Sequence, residues 1–312
     1  MLDLFLKSLS IAEPREDAYD ISFFSSFNAT EKKIAEDAII QLASNGDARA
    51  LVTIGKLKLD RAEKILIEQA KNSNEWVRFS ANRALLELDK SYKGILEDTK
   101  ASSSNTRFGA ISEISKHKIK ETNEVLIKAL DDEDSLVRFE AYDGLLQYFD
   151  LLKYTKKNGN TLLESPLKTL GVLVVCDIKS LRFKAVIDAK EIFNKISEGN
   201  TPDSLDLVYK SSGIPNFRIQ IRDSFYDYKK PFSTALIQRA QGHDRRWAEV
   251  FLALRLNSND SNDYFKRSLE ALVNLNAFWI VETLRDFIIL FGPASDLYEP
   301  TKNAIEALAN KN

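Results

Sequence analysis

Asn74-Glu-Trp-Val-Arg-Phe-Ser-Ala-Asn-Arg-Ala-Leu-Leu86 carries the clearest structural signal in the chain. Its apolar residues Val77, Phe79, Ala81, Leu85 and Leu86 recur at helical rather than alternating spacing. Asn74 belongs to the small set of residues that cap a helix start by accepting from otherwise unpaired backbone N–H groups. The same plan, an arginine between flanking residues that are mostly apolar or aromatic, heads further apolar helical runs. It returns as Ala48-Arg49-Ala50, Thr106-Arg107-Phe108, Val137-Arg138-Phe139, Leu181-Arg182-Phe183, Phe217-Arg218-Ile219 and Arg245-Arg246-Trp247. The steps between the arginines are 29, 29, 31, 44, 36 and 28 residues, and 33 more reach Trp279 in Ala277-Phe-Trp-Ile-Val281, a degenerate last copy. Self-similarity near thirty residues marks a chain built of repeated helical units.

Each copy reads as two helices. The first starts at the arginine motif, with Asn74, Asn105, Asp134 and Asp244 as expected N-caps. The second is shorter, as at Ala62 to Ala70, Val125 to Leu130, Leu205 to Val208 and Leu236 to Ala240, with Thr201-Pro202 as a cap and first turn. Ser44-Asn-Gly46, Ser102-Ser-Ser104 and Gly199-Asn200 supply connectors. The 44-residue step is irregular over 150–178. It contains the polar turn Lys156-Lys-Asn-Gly-Asn160 and the run Leu170-Gly-Val-Leu-Val-Val-Cys176. That run could be a buried strand; its place in the repeat favours a buried second helix. Residues 1–28 lie outside the pattern, carry Phe23, Phe24 and Phe27, and are expected to cap the open end of an array over 29–312.

Asp134-Ser-Leu-Val-Arg-Phe-Glu-Ala-Tyr-Asp-Gly-Leu-Leu146 and the Asn74–Leu86 stretch resemble HEAT-type repeats, in the style of the short HEAT-like repeats of phycobilisome lyases. The resemblance covers roughly residues 45–150 well and 178–290 loosely. It implies an all-α, right-handed α-solenoid of about eight helix pairs. It also implies that the recurring arginine joins an inter-repeat hydrogen-bond ladder. Function stays open, because such arrays serve as adaptors, inhibitors, lyase subunits and DNA-repair proteins.

Composition agrees with helices and narrows the classes. The 312 residues include only 11 Gly and 7 Pro, against about 22 and 16 at average usage. Lys plus Arg is 44 and Asp plus Glu 46, a net charge of −2, which argues against a chain-wide grip on nucleic acid or anionic membrane. No apolar run approaches the roughly 18 residues of a membrane span, and the start, Met1-Leu-Asp-Leu-Phe-Leu-Lys7, lacks a signal-peptide plan, so a cytoplasmic protein is expected. The single cysteine, Cys176, allows no internal disulfide.

Arg49, Arg78, Arg107, Arg138, Arg182, Arg218 and Arg246 could be read as a basic ladder for phosphate. Helix geometry favours a structural role. With the arginine at zero degrees, positions −1, +3 and +7 fall at about 260, 300 and 340 degrees, and +1 and +8 at about 100 and 80. Apolar residues fill those positions (Val77, Ala81, Leu85, Phe79 and Leu86; then Val137, Ala141, Leu145, Phe139 and Leu146). The arginine sits inside that arc and must find partners for its donors in the adjoining turn.

Signs of chemistry are few. His117 and His243 stand alone in sequence, without a zinc-binding spacing, and read as a surface histidine and a turn histidine. Cys176 follows Val174-Val175 and reads as a small buried side chain. Asp131-Asp-Glu-Asp134 lacks the spacing of a calcium loop and suits a helix start. No metal, cofactor or catalytic residue is expected. Residues 210–246 carry eight basic residues against three acids, a local +5, with interleaved aromatics, while 131–150 carry seven acids and one arginine, a local −6. Exposed tyrosine beside basic residues suits a binding hot spot or a single-strand stacking platform. Tyr226, Tyr228, Lys229, Lys230 and Arg239 are the expected contact residues. The expected function is non-enzymatic: an adaptor, or an inhibitor of the immunity-protein kind, holding a charged protein partner in a concave groove. A nucleic-acid binder like the HEAT-like alkylpurine DNA glycosylases is disfavoured by the isoelectric point of about 5.9. A chromophore-handling lyase subunit is the third possibility.

Overall fold

The computed structural model describes residues 1–10, 18–154, 165–207, 213–227, 229–256 and 261–310. Those residues are all-helical and contain no strand. They fall into two compact units, Met1–Ala129 and Leu130–Asn312.

The first unit holds α1 (Leu2–Ser8), α2 (Ala29–Ser44), α3 (Ala48–Lys56), α4 (Glu63–Gln69), α5 (Glu75–Glu87), α6 (Lys93–Asp98), α7 (Ser104–His117) and α8 (Thr122–Ala129). Its main core runs from Phe5 through Ile39, Leu51, Ile54 and Leu66 to Leu85 and Leu88, and a second cluster joins Phe79, Leu86, Ile95, Ala110 and Ile114. Phe5, fully buried, meets the rings of Phe23, Phe24 and Phe27 at 5.4–6.1 Å. The N-terminal phenylalanines therefore belong to this core.

The second unit holds α9 (Ser135–Tyr148), α10 (Pro166–Val175), α11 (Lys179–Ser197), α12 (Phe217–Tyr226), α13 (Ala235–Arg239), α14 (Gly242–Ala253), α15 (Asn262–Asn274), α16 (Val281–Phe291) and α17 (Tyr298–Ala309). Leu145, Leu167, Val174, Phe193, Phe225 and Phe265 are among its most buried side chains.

Helix starts follow side-chain chemistry. Asn28 and Glu31 form a reciprocal capping box on α2, and Asp47, Asn74, Ser103, Asp134, Ser165 and Ser261 each accept from the first turn of the helix that follows. Helix ends are equally regular. Lys58, Asp89, Asp150 and Asn276 adopt left-handed backbone with φ of 53–57°, two residues past α3, α5, α9 and α15. In each case the next N–H reaches back five residues, as Leu59 to Ile54, Lys90 to Leu85, Leu151 to Leu146 and Ala277 to Leu272. This is the Schellman closure, here built on non-glycine residues.

Several local expectations need correction. Ser103, not Asn105, caps α7, and Asp244 is the buried third residue of α14, whose N-cap is Gln241. Thr201-Pro202 opens a run of turns over 202–206 rather than a helix, closed by a left-handed Asp206; Val208 lies outside the described residues. The runs at 62–70, 125–130 and 236–240 are represented by α4, α8 and α13. Leu170–Val175 lies in helix α10, started by Ser165 and by Pro166 in its first turn, and Cys176 follows in extended backbone. The turn at 156–160 lies outside the described residues.

Candidate functional site

The seven motif arginines divide into two groups. Arg78, Arg107, Arg138 and Arg182 are each the fourth residue of their helix. Each donates from Nη1 to the carbonyl six residues upstream: Asn72 at 3.3 Å, Ala101 at 3.0 Å, Asp132 at 2.8 Å and Cys176 at 3.4 Å. The side chain thus folds back over the start of its own helix onto the preceding connector. Arg138 is the most enclosed, at 1% exposure. It also donates to the Glu133 carbonyl at 2.7 Å, and to Val174 and Val175 at the end of α10 at 2.9 and 3.3 Å. Burial lowers its pKa, and the nearby Arg182 charge adds to that. Arg78 reaches Asp98 as well, at 3.5 Å; this carboxylate is 2% exposed, accepts from Asn82 at 2.8 Å, and has its pKa raised by burial.

Arg49, Arg218 and Arg246 occupy other helical positions (second, second and fifth) and lie over aromatic rings instead. Their guanidinium carbons stand 4.2 Å from Tyr19, 5.0 Å from Trp247 and 4.1 Å from Trp279. Arg218 also pairs with Asp244 at 3.4 Å. Such stacking holds a cation by the negative face of the ring.

Of the expected contact residues, Tyr226 ends α12, Lys229 and Lys230 lie in the connector that follows, and Arg239 ends α13. Tyr226 is 37% exposed and packs edge-on to Phe225, Phe251 and Tyr264 at 5.3–6.3 Å. Lys229, Lys230 and Arg239 are exposed, with Lys230 at 4.0 Å from Asp227; Tyr228 lies outside the described residues. Arg267 of α15, which carried no sequence signal, pins this connector. It donates to the carbonyls of Ser224, Asp227 and Lys230 at 2.5–3.4 Å and lies 5.7–5.8 Å from Phe225 and Phe232.

Several large apolar side chains on α9, α11 and α12 are unexpectedly open to solvent. Phe139 is 52% exposed and Phe183 69%, with Leu136, Ile187 and Ile219 also open. Helical phase alone places Phe139 inside the apolar arc, like Phe79, which is 2% exposed. At about 100 degrees from the arginine this position is marginal, and a neighbour decides its burial. Phe79 is covered because α7 presents Gly109 to it.

The second unit also contains a cleft of about 340 Å³. Leu170 and Leu173 of α10, with Ile192 and Leu207, give it apolar walls; Asp188 and Glu191 of α11 and His243 and Arg246 of α14 are its ionisable members. His243 is held by the Asp206 carbonyl at 3.0 Å and its carboxylate at 3.5 Å. In the first unit, His117 Nε2 stands 3.8 Å from both Glu87 Oε1 and Glu113 Oε2, a trio that could hold a cation. The other carboxylate oxygens are engaged by Lys58 on Glu87, and by Arg83 and Lys116 on buried Glu113. The trio's charge is therefore already compensated, and it reads as an ion-pair cluster. Half-buried Cys176 has its thiol pKa raised by burial, which suppresses the thiolate. Asp134 caps α9 and Asp131 pairs with Lys190, so the acidic run serves a helix start and an ion pair.

No protein-family profile matches the chain, and no curated protein matches it significantly in sequence. Among the described residues no helix is long and apolar enough to cross a membrane.

Proposed function

We propose that the chain is a non-enzymatic HEAT-like α-solenoid that holds a protein partner, as an adaptor or as an inhibitor of the immunity-protein kind, in the cytoplasm. In this reading the hairpins of 29–312 form one array of about eight pairs, residues 1–28 close its end, and the fourth-position arginines staple successive units. The observation that carries a protein partner is the open apolar set Leu136, Phe139, Phe183 and Ile187. Large apolar side chains left in water on neighbouring helices are characteristic of interaction surfaces. The exposed cations Lys229 and Lys230, three and four residues after Tyr226, and the exposed Arg239 would add charge selection and steering.

Affinity capture from the native cell tests this reading with three baits: the parent chain, a Phe139→Ser/Phe183→Ser chain and a Lys229→Glu/Lys230→Glu/Arg239→Glu chain. One stoichiometric protein, lost from at least one variant bait, is the expected result. Its absence, or equal recovery on all three baits, rejects the reading.

The same exposed cations and Tyr226 give a second reading, single-stranded nucleic acid. Binding through several phosphates must weaken steeply with salt. A gel shift at two salt concentrations separates the two readings.

A further inference from the structure

We propose that the cleft between α10, α11 and α14 is a binding site for a small amphiphilic monocarboxylate, with Arg246 as the carboxylate anchor. This goes beyond the protein-binding reading and uses other residues.

Arg246 has no close polar partner among the described residues. Its guanidinium is stacked at 4.1 Å on Trp279 and keeps 40% of its side-chain surface open. Among the described residues it makes no hydrogen bond, and its nearest ion-pair contact, to Glu249, is long at 3.9 Å. Glu249 is itself engaged at shorter range by Arg245 at 3.1 Å and by the Trp279 indole N–H at 3.1 Å. The ring fixes the plane of the guanidinium and leaves its fork of donors uncommitted. Such a fork fits a carboxylate. Burial lowers the pKa of Arg246, and the charges of Glu249 and Asp188 only partly offset that, so a new anion would relieve the remaining penalty.

The rest of the cleft sets the ligand class. Leu170, Leu173, Ile192 and Leu207 offer an apolar bed, and about 340 Å³ is at the small end of ligand-sized sites. The two acids of the cleft are each tied to a lysine one turn away on α11, Asp188 to Lys184 at 3.3 Å and Glu191 to Lys195. Neither acid hydrogen-bonds Arg246, although the charge of Asp188 acts on it, and together they place negative charge on the cleft wall. That disfavours a dianion such as a phosphate monoester and favours a single carboxylate on a short hydrocarbon body.

Calorimetric titration of the full chain with octanoate, octanol and octyl phosphate tests this. Saturable octanoate binding is expected, at least tenfold tighter than octanol and tighter than octyl phosphate. Arg246→Met should weaken octanoate at least tenfold, while Arg285→Met, which alters an exposed pair with Glu282, should leave it unchanged. Glu191→Gln, at an exposed position, should tighten octanoate severalfold, which keeps the test alive if Arg246→Met does not fold. No saturable octanoate binding, equal binding of octanol, or no response to Glu191→Gln overturns the proposal. Each of these outcomes leaves the partner-capture experiment unaffected.

Discussion

The ring of Phe79 on α5 occupies the space where residue 109 of α7 has no side chain: a Cβ on Gly109 would stand 2.6 Å from Phe79 Cζ. Phe79 is 2% exposed and tilted against Trp76 at 5.3 Å, so it has no room to swing away. Gly109→Ala would normally favour a helix by about 1 kcal/mol, but here overpacking opposes it by about 1–3 kcal/mol. Net destabilisation is expected in urea melts, and Phe79→Leu in the same chain should recover part of it.

Arg138 is a buried cation held wholly by carbonyl oxygens. Arg138→Met retains most of the stem and leaves four acceptors without their donor. With charged hydrogen bonds contributing about 1.5–3 kcal/mol each, and partial compensation by relaxation, a loss of about 3–5 kcal/mol is expected. Arg138→Lys should restore little, since an ammonium cannot span carbonyls on two elements. An unchanged melting temperature in either variant would remove the structural role of this side chain.

Asp89 closes α5 with a φ of 57°. Glycine takes that conformation without strain, whereas a β-branched residue resists it. Asp89→Gly should be neutral or stabilising by up to about 1 kcal/mol, and Asp89→Val destabilising by more than about 1 kcal/mol. Chemical denaturation of both variants gives the sign directly.

Tyr19 carries the clearest pH signature. Burial, then the 2.9 Å hydrogen bond to Asp47 and that residue's charge, push its phenol up to about 12, with Arg49 pulling the other way. An unfolded tyrosine releases its proton near 10. Between about 10 and 12 the folded chain binds the extra proton, so this contribution to stability is lost as pH rises through that window. Melting temperatures from pH 9 to 12 should fall less steeply for Tyr19→Phe. A remaining slope is expected from Tyr142, whose phenol is also raised by burial.

The helices were legible because their signals are local. Asn74 and Asp134 cap where their spacing from the apolar run says they should, and α10 could be read from its place between two arginine motifs. Ser102-Ser-Ser-Asn105 offered several adjacent cap candidates, and nothing in the sequence ranks Ser103 above Asn105. The arginine spacing located seven side chains but not their phase, because phase is counted from each helix's own start. Two of them stand at the second position and one at the fifth. Burial of the residue after the arginine was not legible either, since Phe79 depends on a glycine thirty positions later and Phe139 meets no such glycine. Composition singles out Tyr226, Lys229, Lys230 and Arg239, and the fold leaves all four exposed. The cleft could not be read that way, because it draws on residues between 166 and 246 that only packing brings together.

The four fourth-position arginines each grip a carbonyl only six residues back, so the clasp is encoded within seven consecutive residues. From Arg78 to Arg107 the chain advances 29 residues, and from Arg138 to Arg182 it advances 44, yet the clasp is the same. Insertions can therefore collect between clasps without unfastening one.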